Sequence, residues 1–421
     1  MNKTNRRVFL KHAGVAALAS AIPGFSTAAP LAPRVVVIGG GFGGATVSKY
    51  LRLWGGDINV TTVESQPLHY SCILSNGIVT GDYGLDRVTL QYDALQDRYG
   101  VNWLQGKALK INPDSQEVTV RTASGRVKLP YDKLIVSPGV DFISPQGNYK
   151  SGKTPHAWKA GKQTINLRNK IKNMRDGGTF VMRIPKAPYR CPPGPYERAC
   201  VVADFLKRHN PNAKVIVLDE NPKIMAEPVT FGNAFESLYS DILEYHTNIQ
   251  VADIDSASGI LNTDMGQIVG DVINFIPDHK AGKILHRSGL VDDATNRWVQ
   301  VDPITYGSVA HPEIHIIGDS QATGQPKSGH MANAQAKVCA DAMLRYFGGE
   351  QPNQQPSTAS ACFSPITQDT AGWLTAVFQY DAGIGQMKVV PDSFSEAEEV
   401  SKDNYEEMFA WADNLFADSF G

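Results

Sequence analysis

The stretch Arg34-Val-Val-Val-Ile-Gly39-Gly-Gly41-Phe-Gly-Gly44 decides the fold of this chain. A short run of β-branched residues ends in three glycines at the spacing G-x-G-x-x-G, and a helix-forming segment follows over 45–52. In a unit of this kind the first glycine permits a tight turn, the second lets a pyrophosphate approach the backbone, and the third lets the helix pack on the strand. Gly39, Gly41 and Gly44 therefore predict a dinucleotide-binding site.

An acidic residue follows at the position where such a unit binds a ribose. The apolar strand predicted over 58–63 ends in Glu64, twenty residues after Gly44. A carboxylate there can accept hydrogen bonds from both ribose hydroxyls, which favours FAD or NAD over NADP. The N-terminus of the intervening helix offers unpaired N–H groups to the phosphates. Strand, glycines, helix, strand and acid are thus in the register that a dinucleotide site requires.

A second nucleotide landmark lies far downstream. The apolar segment 313–317 ends in Gly318 and Asp319, and a helix is predicted over 329–347. In flavoproteins with two dinucleotide-binding domains, such a strand closes the FAD sheet, and the aspartate accepts a hydrogen bond from the ribityl chain. We therefore predict an FAD-binding domain that is split into residues 33–150 and 280–350, with Gly318 and Asp319 among its cofactor-binding residues.

The segment between the two parts, 151–279, predicts a second Rossmann-like domain. Strands over 179–184 and 214–219 flank a helix over 197–209, which is another βαβ pattern. The turn before the helix contains no glycine fingerprint and instead holds three prolines, Pro192, Pro193 and Pro195. Proline has no N–H and fixes φ, so this turn cannot form a phosphate cradle. The domain is predicted to have lost its nicotinamide nucleotide, so electrons must enter from another source.

Five cysteines remain to be placed. Cys191 lies in the proline-rich turn, where it would face the flavin, and the adjoining helix N-terminus predicts a lowered thiol pKa. Cys200 and Cys339 fall on apolar helix faces and are expected to be buried, with a disulfide between them left open. No C-x-x-C-H motif attaches a haem to this chain, and no cysteine or histidine spacing predicts a metal site.

The first residues predict an export signal rather than part of the fold. The stretch Asn5-Arg6-Arg7-Val-Phe9-Leu10-Lys11 is a twin-arginine pattern, followed by an apolar region and by the small residues Ser26-Thr27-Ala28. We expect residues 1–28 to be a twin-arginine signal peptide. This route exports folded proteins, which suits a flavoprotein loaded with its cofactor before export, and it places the mature chain in the periplasm.

Composition and charge exclude other classes of partner. The formal net charge of −2 over 421 residues predicts no nucleic-acid binding. Outside the leader there is no run of eighteen apolar residues, so no membrane insertion is expected. The Pro/Gln/Ser-rich stretch 350–360 predicts a linker, followed by a small C-terminal interface domain over 351–421.

Together these features resemble the flavoprotein subunit of flavocytochrome c sulfide dehydrogenase, over essentially the whole chain after the leader. The resemblance rests on the leader, the fingerprint glycines, Tyr70-Ser-Cys72-Ile-Leu-Ser-Asn76, Arg190-Cys191-Pro-Pro-Gly-Pro-Tyr-Glu-Arg198, and Cys362. It implies an α/β fold with two Rossmann-like dinucleotide-binding domains of the disulfide-reductase/sulfide:quinone oxidoreductase type. A small C-terminal α+β domain completes this architecture.

The resemblance also implies roles for single residues. It implies FAD bound covalently through an 8α thioether to Cys72, and a redox-active disulfide between Cys191 and Cys362. The implied reaction oxidises sulfide to sulfur or polysulfide, and the implied partner is a c-type cytochrome subunit that carries the haem and forms a heterodimer with this chain. Glu197 is a candidate proton acceptor, although a first-turn acid that complements the helix dipole is the alternative interpretation.

The main alternative function is that of a sulfide:quinone oxidoreductase, which would need an amphipathic C-terminus that attaches to a membrane. Residues 391–421 instead hold one basic residue, Lys402, against nine acids: Asp392, Glu396, Glu398, Glu399, Asp403, Glu406, Glu407, Asp413 and Asp418. Such a tail would repel anionic lipid, and its apolar residues suit packing or a cytochrome surface. A flavin-binding electron carrier and an NADPH-dependent disulfide reductase are further alternatives.

Overall fold

The first part of the chain builds most of the sheet that carries the glycine fingerprint. The computed structural model describes residues 32–421, so the leader predicted over 1–28 lies outside the described residues. The strands are β1 (Arg34–Ile38), β2 (Asn59–Glu64), β3 (His69–Tyr70), β4 (Thr89–Leu90), β5 (Asn102–Gln105), β6 (Lys107–Asn112), β7 (Glu117–Thr122), β8 (Gly125–Pro130), β9 (Lys133–Val136), β10 (Val140–Phe142) and β11 (Gly147–Asn148). The helices are α1 (Phe42–Gly55), α2 (Ser75–Thr80), α3 (Asp93–Asp97) and α4 (Lys162–Lys172).

The middle part of the chain builds a second parallel sheet. Its strands are β12 (Thr179–Ile184), β13 (Lys214–Asp219), β14 (Leu243–His246), β15 (Val251–Asp255), β16 (Ile260–Thr263), β17 (Gly266–Val269), β18 (Val272–Phe275) and β19 (His279–Ala281). The helices are α5 (Gly194–His209), α6 (Pro228–Asn233) and α7 (Lys283–Arg287). Helix α5 begins three residues before the predicted start because proline fits the first turn of a helix, where its missing N–H would have no partner.

The last part of the chain first returns to the fingerprint sheet and then forms an antiparallel sheet of its own. Its strands are β20 (Ile314–Ile316), β21 (Ser357–Pro365), β22 (Ala371–Asp381), β23 (Gln386–Val389) and β24 (Ser395–Glu396), and its helices are α8 (Gly329–Phe347) and α9 (Lys402–Phe420). Helix α8 has the bounds that the sequence predicts. Its N-terminus is capped by the hydroxyl of Ser328, which accepts a hydrogen bond from the Met331 N–H.

Two parallel sheets position the site. The fingerprint sheet has the strand order β20-β9-β1-β2-β5, and the second sheet has the order β14-β13-β12-β18. All strand pairs within both sheets are parallel. The central strands β1 and β9 are almost wholly buried, as expected for parallel sheets covered on both faces. Ligand sites in such sheets lie at the carboxyl ends of the strands, where β1 ends in Gly39 and β20 ends before Gly318.

The linker predicted over 350–360 ends earlier than expected. Strand β21 begins at Ser357 and pairs with β22 as far as Pro365. The inward side chains at its start are polar, so the sequence shows no hydrophobic alternation there. Thr358 accepts a hydrogen bond of 2.6 Å from Gln325, and Ser360 lies 3.4 Å from Ser328. Buried hydroxyls paired with polar partners thus take the place of the apolar side chains that would have indicated a strand.

Cys200 and Cys339 lie in separate cores. Cys200 belongs to the core around the second sheet, whereas Cys339 on α8 belongs to the core around the fingerprint sheet. Both side chains are fully buried and both are free thiols. The predicted burial is therefore found, and the disulfide that the sequence left open between them is not formed.

The C-terminal helix α9 packs on the fingerprint unit. Phe416 and Phe420 contact Phe42 at the start of α1, with ring centroids 6.1 and 5.4 Å away. The ammonium of Lys49 on α1 donates to the carbonyl oxygens of Ala417, Asp418 and Gly421, which satisfies acceptors that a helix C-terminus leaves unpaired. The apolar face of α9 is thus used for packing within this chain. Among residues 32–421 no helix combines the length and apolar character needed to cross a membrane.

We expect Phe416→Ala to destabilise the fold. Phe416 is only 6% exposed, and truncating a buried phenylalanine leaves a cavity, so the free energy of unfolding should fall by about 3–5 kcal/mol. Chemical denaturation of the purified protein measures this change. Phe394→Ala is the matched control, because Phe394 is 54% exposed and its loss should change stability by less than about 0.5 kcal/mol. Equal effects of the two substitutions would contradict the docking of α9 described above.

Candidate functional site

Two adjoining cavities are lined by the site residues that the sequence predicts, except Gly44, which lies behind the fingerprint turn against Gly39. The larger, of about 530 Å³, is lined by the fingerprint turn, by Glu64 and by Asp319. The smaller, of about 60 Å³, is lined by Cys191, Cys362 and Glu197 together with apolar and aromatic side chains. Both cavities share a wall of four residues: Cys72, Arg190, Ser328 and Gly329. The predicted dinucleotide site and the predicted cysteine site are therefore neighbours.

The fingerprint turn can be built only with glycine at two of its positions. Gly39 has a φ of +101°, a conformation that side chains rarely adopt. A Cβ atom on Gly44 would collide with the carbonyl oxygen of Gly39, so any larger residue would push α1 away from β1. Gly41 lies at the N-terminus of α1 and lines the larger cavity. This geometry leaves backbone N–H groups free to approach a phosphate.

The acid predicted to bind the ribose is held in place by the backbone. Glu64 accepts hydrogen bonds of 2.8 Å from the N–H groups of Gly40 and Gln66, one on each carboxylate oxygen. It ends strand β2 and lines the larger cavity. Each oxygen retains acceptor capacity, so the carboxylate can still bind the hydroxyls of a ribose.

Buried polar atoms elsewhere in the larger cavity have no partner within residues 32–421. These atoms are the Oδ1 atom of Asp319, the Nε atom of Arg190 and the Nε2 atom of His69. A buried polar atom without a partner costs about 1–3 kcal/mol, so these positions suit a ligand that carries its own hydrogen-bonding groups. Burial raises the pKa of Asp319 and lowers that of His69 to about 4, which keeps the imidazole neutral. Glycine cradle, ribose acid and unpartnered polar atoms together fit FAD.

Cys72 lies where the two cavities meet. It follows strand β3 and precedes helix α2, and its carbonyl oxygen accepts a hydrogen bond of 2.7 Å from the Ser75 hydroxyl. Leu74, two residues later, has a φ of +66°, so the chain turns sharply at this point. Burial raises the pKa of the Cys72 thiol. The thiol thus borders both the predicted cofactor cavity and the cavity of the other two cysteines.

Cys191 is held in a strained turn. Its φ is +60°, and its N–H donates to the Lys327 carbonyl oxygen at 2.7 Å. A Cβ atom on Gly194 would lie 2.8 Å from the Cys191 sulfur, so glycine is needed at that position for the thiol to keep its place. Left-handed backbone at a residue other than glycine costs about 1–3 kcal/mol and is concentrated at functional sites. The turn therefore presents the Cys191 sulfur to the smaller cavity.

Cys362 reaches the same cavity from the C-terminal sheet. It lies in β21 opposite Leu374 of β22, and its neighbour Ala361 donates its N–H to the His330 ring at 3.0 Å. The three cysteines Cys72, Cys191 and Cys362 therefore line one small space although they come from three parts of the chain. All five cysteines of the chain are free thiols in the structure.

The predicted lowering of the Cys191 pKa is wrong. Burial raises the pKa of this thiol well above its usual value, and Cys362 and Glu197 raise it further. Burial likewise raises the pKa of Cys362. Helix α5 begins at Gly194, three residues beyond Cys191, and desolvation outweighs any effect of its N-terminus. As thiols these cysteines are poor nucleophiles at neutral pH, because only the thiolate is nucleophilic.

Glu197 satisfies both interpretations that the sequence left open. It lies in the first turn of α5, where an acid complements the helix dipole, and its side chain also lines the cysteine cavity. Burial raises the pKa of Glu197 to about 7, against the opposing effects of Asn76 and Arg198. A carboxyl with this pKa can both accept and release a proton near neutral pH.

The sequence did not identify the polar network that supports this cavity. Arg198 is almost fully buried and donates to the Asn76 side chain at 2.8 Å and to the carbonyl oxygens of His156 and Ala157. Its guanidinium lies 4.8 Å from the Trp158 ring centroid. Arg198 and Asn76 end the two cysteine-containing motifs, which was a usable signal. Trp158, His330 and Trp411 also line the cavity, but they belong to no motif and could not be identified from the sequence.

The ribose position of the second domain is filled by the chain itself. Asp219 ends strand β13, where an NAD-binding domain carries its ribose acid. Here it is fully buried and accepts hydrogen bonds of 2.8 Å from the hydroxyls of Tyr196 and Tyr245. Asn221 binds its other oxygen through both backbone and side-chain donors. The acid thus has a structural role in the place where a nucleotide would otherwise bind.

Three family models match successive parts of this chain. Residues 164–277 match the central part of the sulfide dehydrogenase [flavocytochrome c] flavoprotein chain, and residues 354–420 match the flavin-binding part of flavocytochrome c sulphide dehydrogenase. Residues 33–173 match pyridine nucleotide-disulphide oxidoreductase. The three matches together cover the first part of the fingerprint domain, the proline-turn domain and the C-terminal domain.

Individual proteins are also similar to this chain in sequence and in structure. The sulfide dehydrogenase [flavocytochrome c] flavoprotein chain of Chlorobaculum thiosulfatiphilum is 51% identical over 45 residues, which are 11% of this chain and 94% of that sequence. The mitochondrial sulfide:quinone oxidoreductase of Dictyostelium discoideum is 22% identical over 369 residues, covering 82% of this chain and 78% of the relative. The solved sulfide:quinone oxidoreductase of Aquifex aeolicus superposes with a TM-score of 0.77 at 18% identity, covering 92% and 91% of the two chains. These matches confirm the predicted fold of the disulfide-reductase type.

Proposed function

This chain belongs to the family of flavocytochrome c sulfide dehydrogenase flavoprotein chains, and we propose that it oxidises sulfide at a Cys191–Cys362 disulfide and delivers the electrons to a c-type cytochrome subunit. The family makes it a flavin-dependent sulfide-oxidising enzyme. One observation carries the finer proposal: Cys191 and Cys362 line a single small cavity that adjoins the dinucleotide cavity, and Cys72 lies in the wall that the two cavities share.

The residues of the larger cavity would hold FAD. Gly39, Gly41 and Gly44 form the phosphate turn, Glu64 is placed for the ribose, and Asp319 offers an unsatisfied oxygen. We propose that Cys72 forms a thioether to the flavin, since its sulfur borders both cavities. When bound, FAD supplies an acceptor that takes two electrons together and releases them singly.

The cysteine pair suits attack by sulfide. Hydrosulfide adds to one sulfur of the Cys191–Cys362 disulfide; the S–S bond breaks, one cysteine becomes a persulfide, and the other leaves as a thiolate. A second hydrosulfide can remove the outer sulfur as HS₂⁻ and leave the cysteine as a thiol. Glu197 is placed to accept a proton from incoming hydrogen sulfide.

The cavity size supports a small substrate. Its volume of about 60 Å³ is several times the roughly 10–15 Å³ of cavity that one water molecule needs, so it can hold a species of a few heavy atoms. Organic ligands of drug size need cavities of about 300 Å³ or more. Hydrosulfide is therefore the kind of substrate that this site can admit.

The C-terminal helix favours a cytochrome over a quinone as electron acceptor. Its apolar side chains Met408, Leu415, Phe416 and Phe420 are buried against this chain, so they do not form a membrane-binding face. Most acids of the C-terminal segment remain exposed and would attract a basic protein surface rather than anionic lipid. We therefore propose a heterodimer with a c-type cytochrome that holds the haem, and the twin-arginine leader supports a periplasmic location for it.

Sulfide, and not a nicotinamide nucleotide, should reduce the bound flavin. We expect anaerobic addition of sulfide to bleach the flavin absorbance, and equal additions of NADH or NADPH to leave it unchanged. The reason is that prolines form the turn where a nucleotide phosphate would bind, and the hydroxyls of Tyr196 and Tyr245 already donate to Asp219. Stopped-flow absorbance spectroscopy measures both reactions. Rapid bleaching by NADH would refute the proposal that the second domain has lost its nucleotide.

The flavin should be covalently attached at Cys72. After acid precipitation we expect the yellow colour to stay with the protein, and a peptide map to place it on the peptide that contains Cys72. In Cys72→Ser the flavin should pass into the supernatant, because only the non-covalent contacts of the cradle remain. Cys339→Ser is the control and should retain its flavin on the pellet. Flavin found wholly in the wild-type supernatant would rule out the thioether.

Loss of Cys191 should abolish turnover without loss of the fold. We expect Cys191→Ser to keep its flavin but to reduce sulfide:cytochrome c activity by roughly a hundredfold or more, because no disulfide remains for sulfide to attack. Cys200→Ala removes a buried thiol outside the site and should retain activity. Near-normal activity of Cys191→Ser would show that a disulfide there is only structural.

A further inference from the structure

Glu227 is a buried acid that the steps above do not use. It precedes helix α6 with a φ of +51°, and its side chain is fully buried. Its Oε1 atom accepts a hydrogen bond of 2.6 Å from the Ser364 hydroxyl, and its Oε2 atom has no partner among the described residues. A buried carboxyl with a single partner, on strained backbone, is costly to maintain, and such outliers are concentrated at functional sites.

Glu227 lies behind the cysteine cavity. Its partner Ser364 is two residues after Cys362 in β21, so both side chains point to the same face of that strand. Gly372, which pairs with Ser364, leaves room for the carboxyl, since a Cβ atom there would lie 3.2 Å from Oε2. Among nearby charges, Glu227 has the largest effect on the pKa of Cys362, and Glu197 in turn raises the pKa of Glu227.

A third acid near Glu227, Glu396, is partly exposed to solvent. Glu396 of β24 pairs with Leu374, and Leu374 pairs on its other side with Cys362. Glu396 is half-buried, and its Oε2 atom is also buried without a partner in the described chain. Its carboxyl is close to the backbone N–H of Val229, two residues after Glu227. Of the three acids, Glu197 lines the cavity, Glu227 is fully buried beside β21, and Glu396 is partly exposed.

The proposed reaction needs a route for protons. Oxidation of one hydrosulfide to the zero-valent level breaks its S–H bond and yields two electrons and one proton. Two ferric haems accept the two electrons and no proton, whereas a quinone would take up protons together with the electrons. In a complete turnover with a cytochrome acceptor, one proton must therefore leave a buried site.

We propose that Glu227 passes this proton from Glu197 toward Glu396 and solvent. This inference rests on the proposed function, because only an acceptor of electrons alone leaves the proton behind. Burial raises the pKa of Glu197 to about 7 and that of Glu227 to about 8, so a proton can move between them with little change in free energy. The titratable groups that face Glu227 are Glu197 and Cys200 on α5, Cys362 on β21 and Glu396 on β24.

Glu227→Gln tests this route. Glutamine keeps the size of the side chain and an acceptor for Ser364, but it cannot take up a proton at neutral pH. We expect kcat for sulfide-dependent reduction of a soluble ferric c-type cytochrome to fall about tenfold or more, with little change in KM for sulfide. The solvent deuterium isotope effect on kcat should increase, and added formate should restore part of the rate. Steady-state assays in H₂O and D₂O measure these quantities.

Glu236→Gln is the matched control, because Glu236 is an exposed acid of the second domain that lies outside both the proposed route and the acidic C-terminal segment. It should keep the wild-type rate and isotope effect. A Glu227→Gln protein with wild-type kcat, isotope effect and pH profile would overturn the proposal. Failure of wild-type flavin to bleach with sulfide would instead refute the proposed function, so the two failures are distinguishable.

Ser364→Ala is a second variant that tests the role of Glu227 as a proton carrier even if Glu227→Gln does not fold. The serine hydroxyl donates to the carboxylate and holds its pKa down, so removing it should raise the pKa of Glu227. Because Glu227 must be ionised to accept a proton, the acid limb of the kcat profile should move to higher pH. An unmoved acid limb would overturn the proposal.

Discussion

The docking of the C-terminal segment on the fingerprint unit is the contact on which the cysteine site depends. Cys362 lies on β21, and this strand packs beside the loop that leads into α8 through the pairs Thr358–Gln325 and Ser360–Ser328. Helix α9 then fixes the same sheet to α1 through Lys49 and through its buried aromatic residues. Without these contacts the wall that carries Cys362 would not face Cys191. The dinucleotide cavity and the cysteine cavity are thus parts of one packed unit.

The second domain shows how a fold can remain while its ligand is lost. The βαβ unit around β12, α5 and β13 has the parallel pairing of a nucleotide-binding domain. Its turn holds prolines, and its ribose acid Asp219 is bound by tyrosine hydroxyls. The same turn presents Cys191 to the cavity, with Gly194 leaving room for the sulfur. A turn that presents a thiol has therefore replaced a turn that binds phosphate, which moves the entry of electrons from a nucleotide to the cysteines.

Much of this architecture could be predicted from the sequence, because its signals are local. The glycine spacing predicts β1, α1 and the cradle, and the apolar run that ends in Gly318 predicts β20. The start of β21 could not be predicted, since its inward residues Thr358 and Ser360 are polar and their partners lie elsewhere in the chain. The pKa of Cys191 was misjudged for a related reason: proximity to a helix is visible in the sequence, but the depth of burial is not. Trp158, His330 and Trp411 meet at the cavity only through tertiary packing.

Desolvation sets the protonation state of nearly every titratable group at the site. It raises the pKa of the cysteines and of Glu197, Glu227 and Asp319, and it lowers the pKa of the histidines His69, His156 and His279. Thiols and protonated carboxyls repel an anion such as hydrosulfide less than thiolates and carboxylates would, and Arg190 and Arg198 line the same cavity. Thiols and carboxyls with raised pKa values also hold protons that the reaction must later release to solvent. The burial of the site therefore creates the need for acids such as Glu197 and Glu227, whose pKa values lie close enough to neutrality for protons to leave.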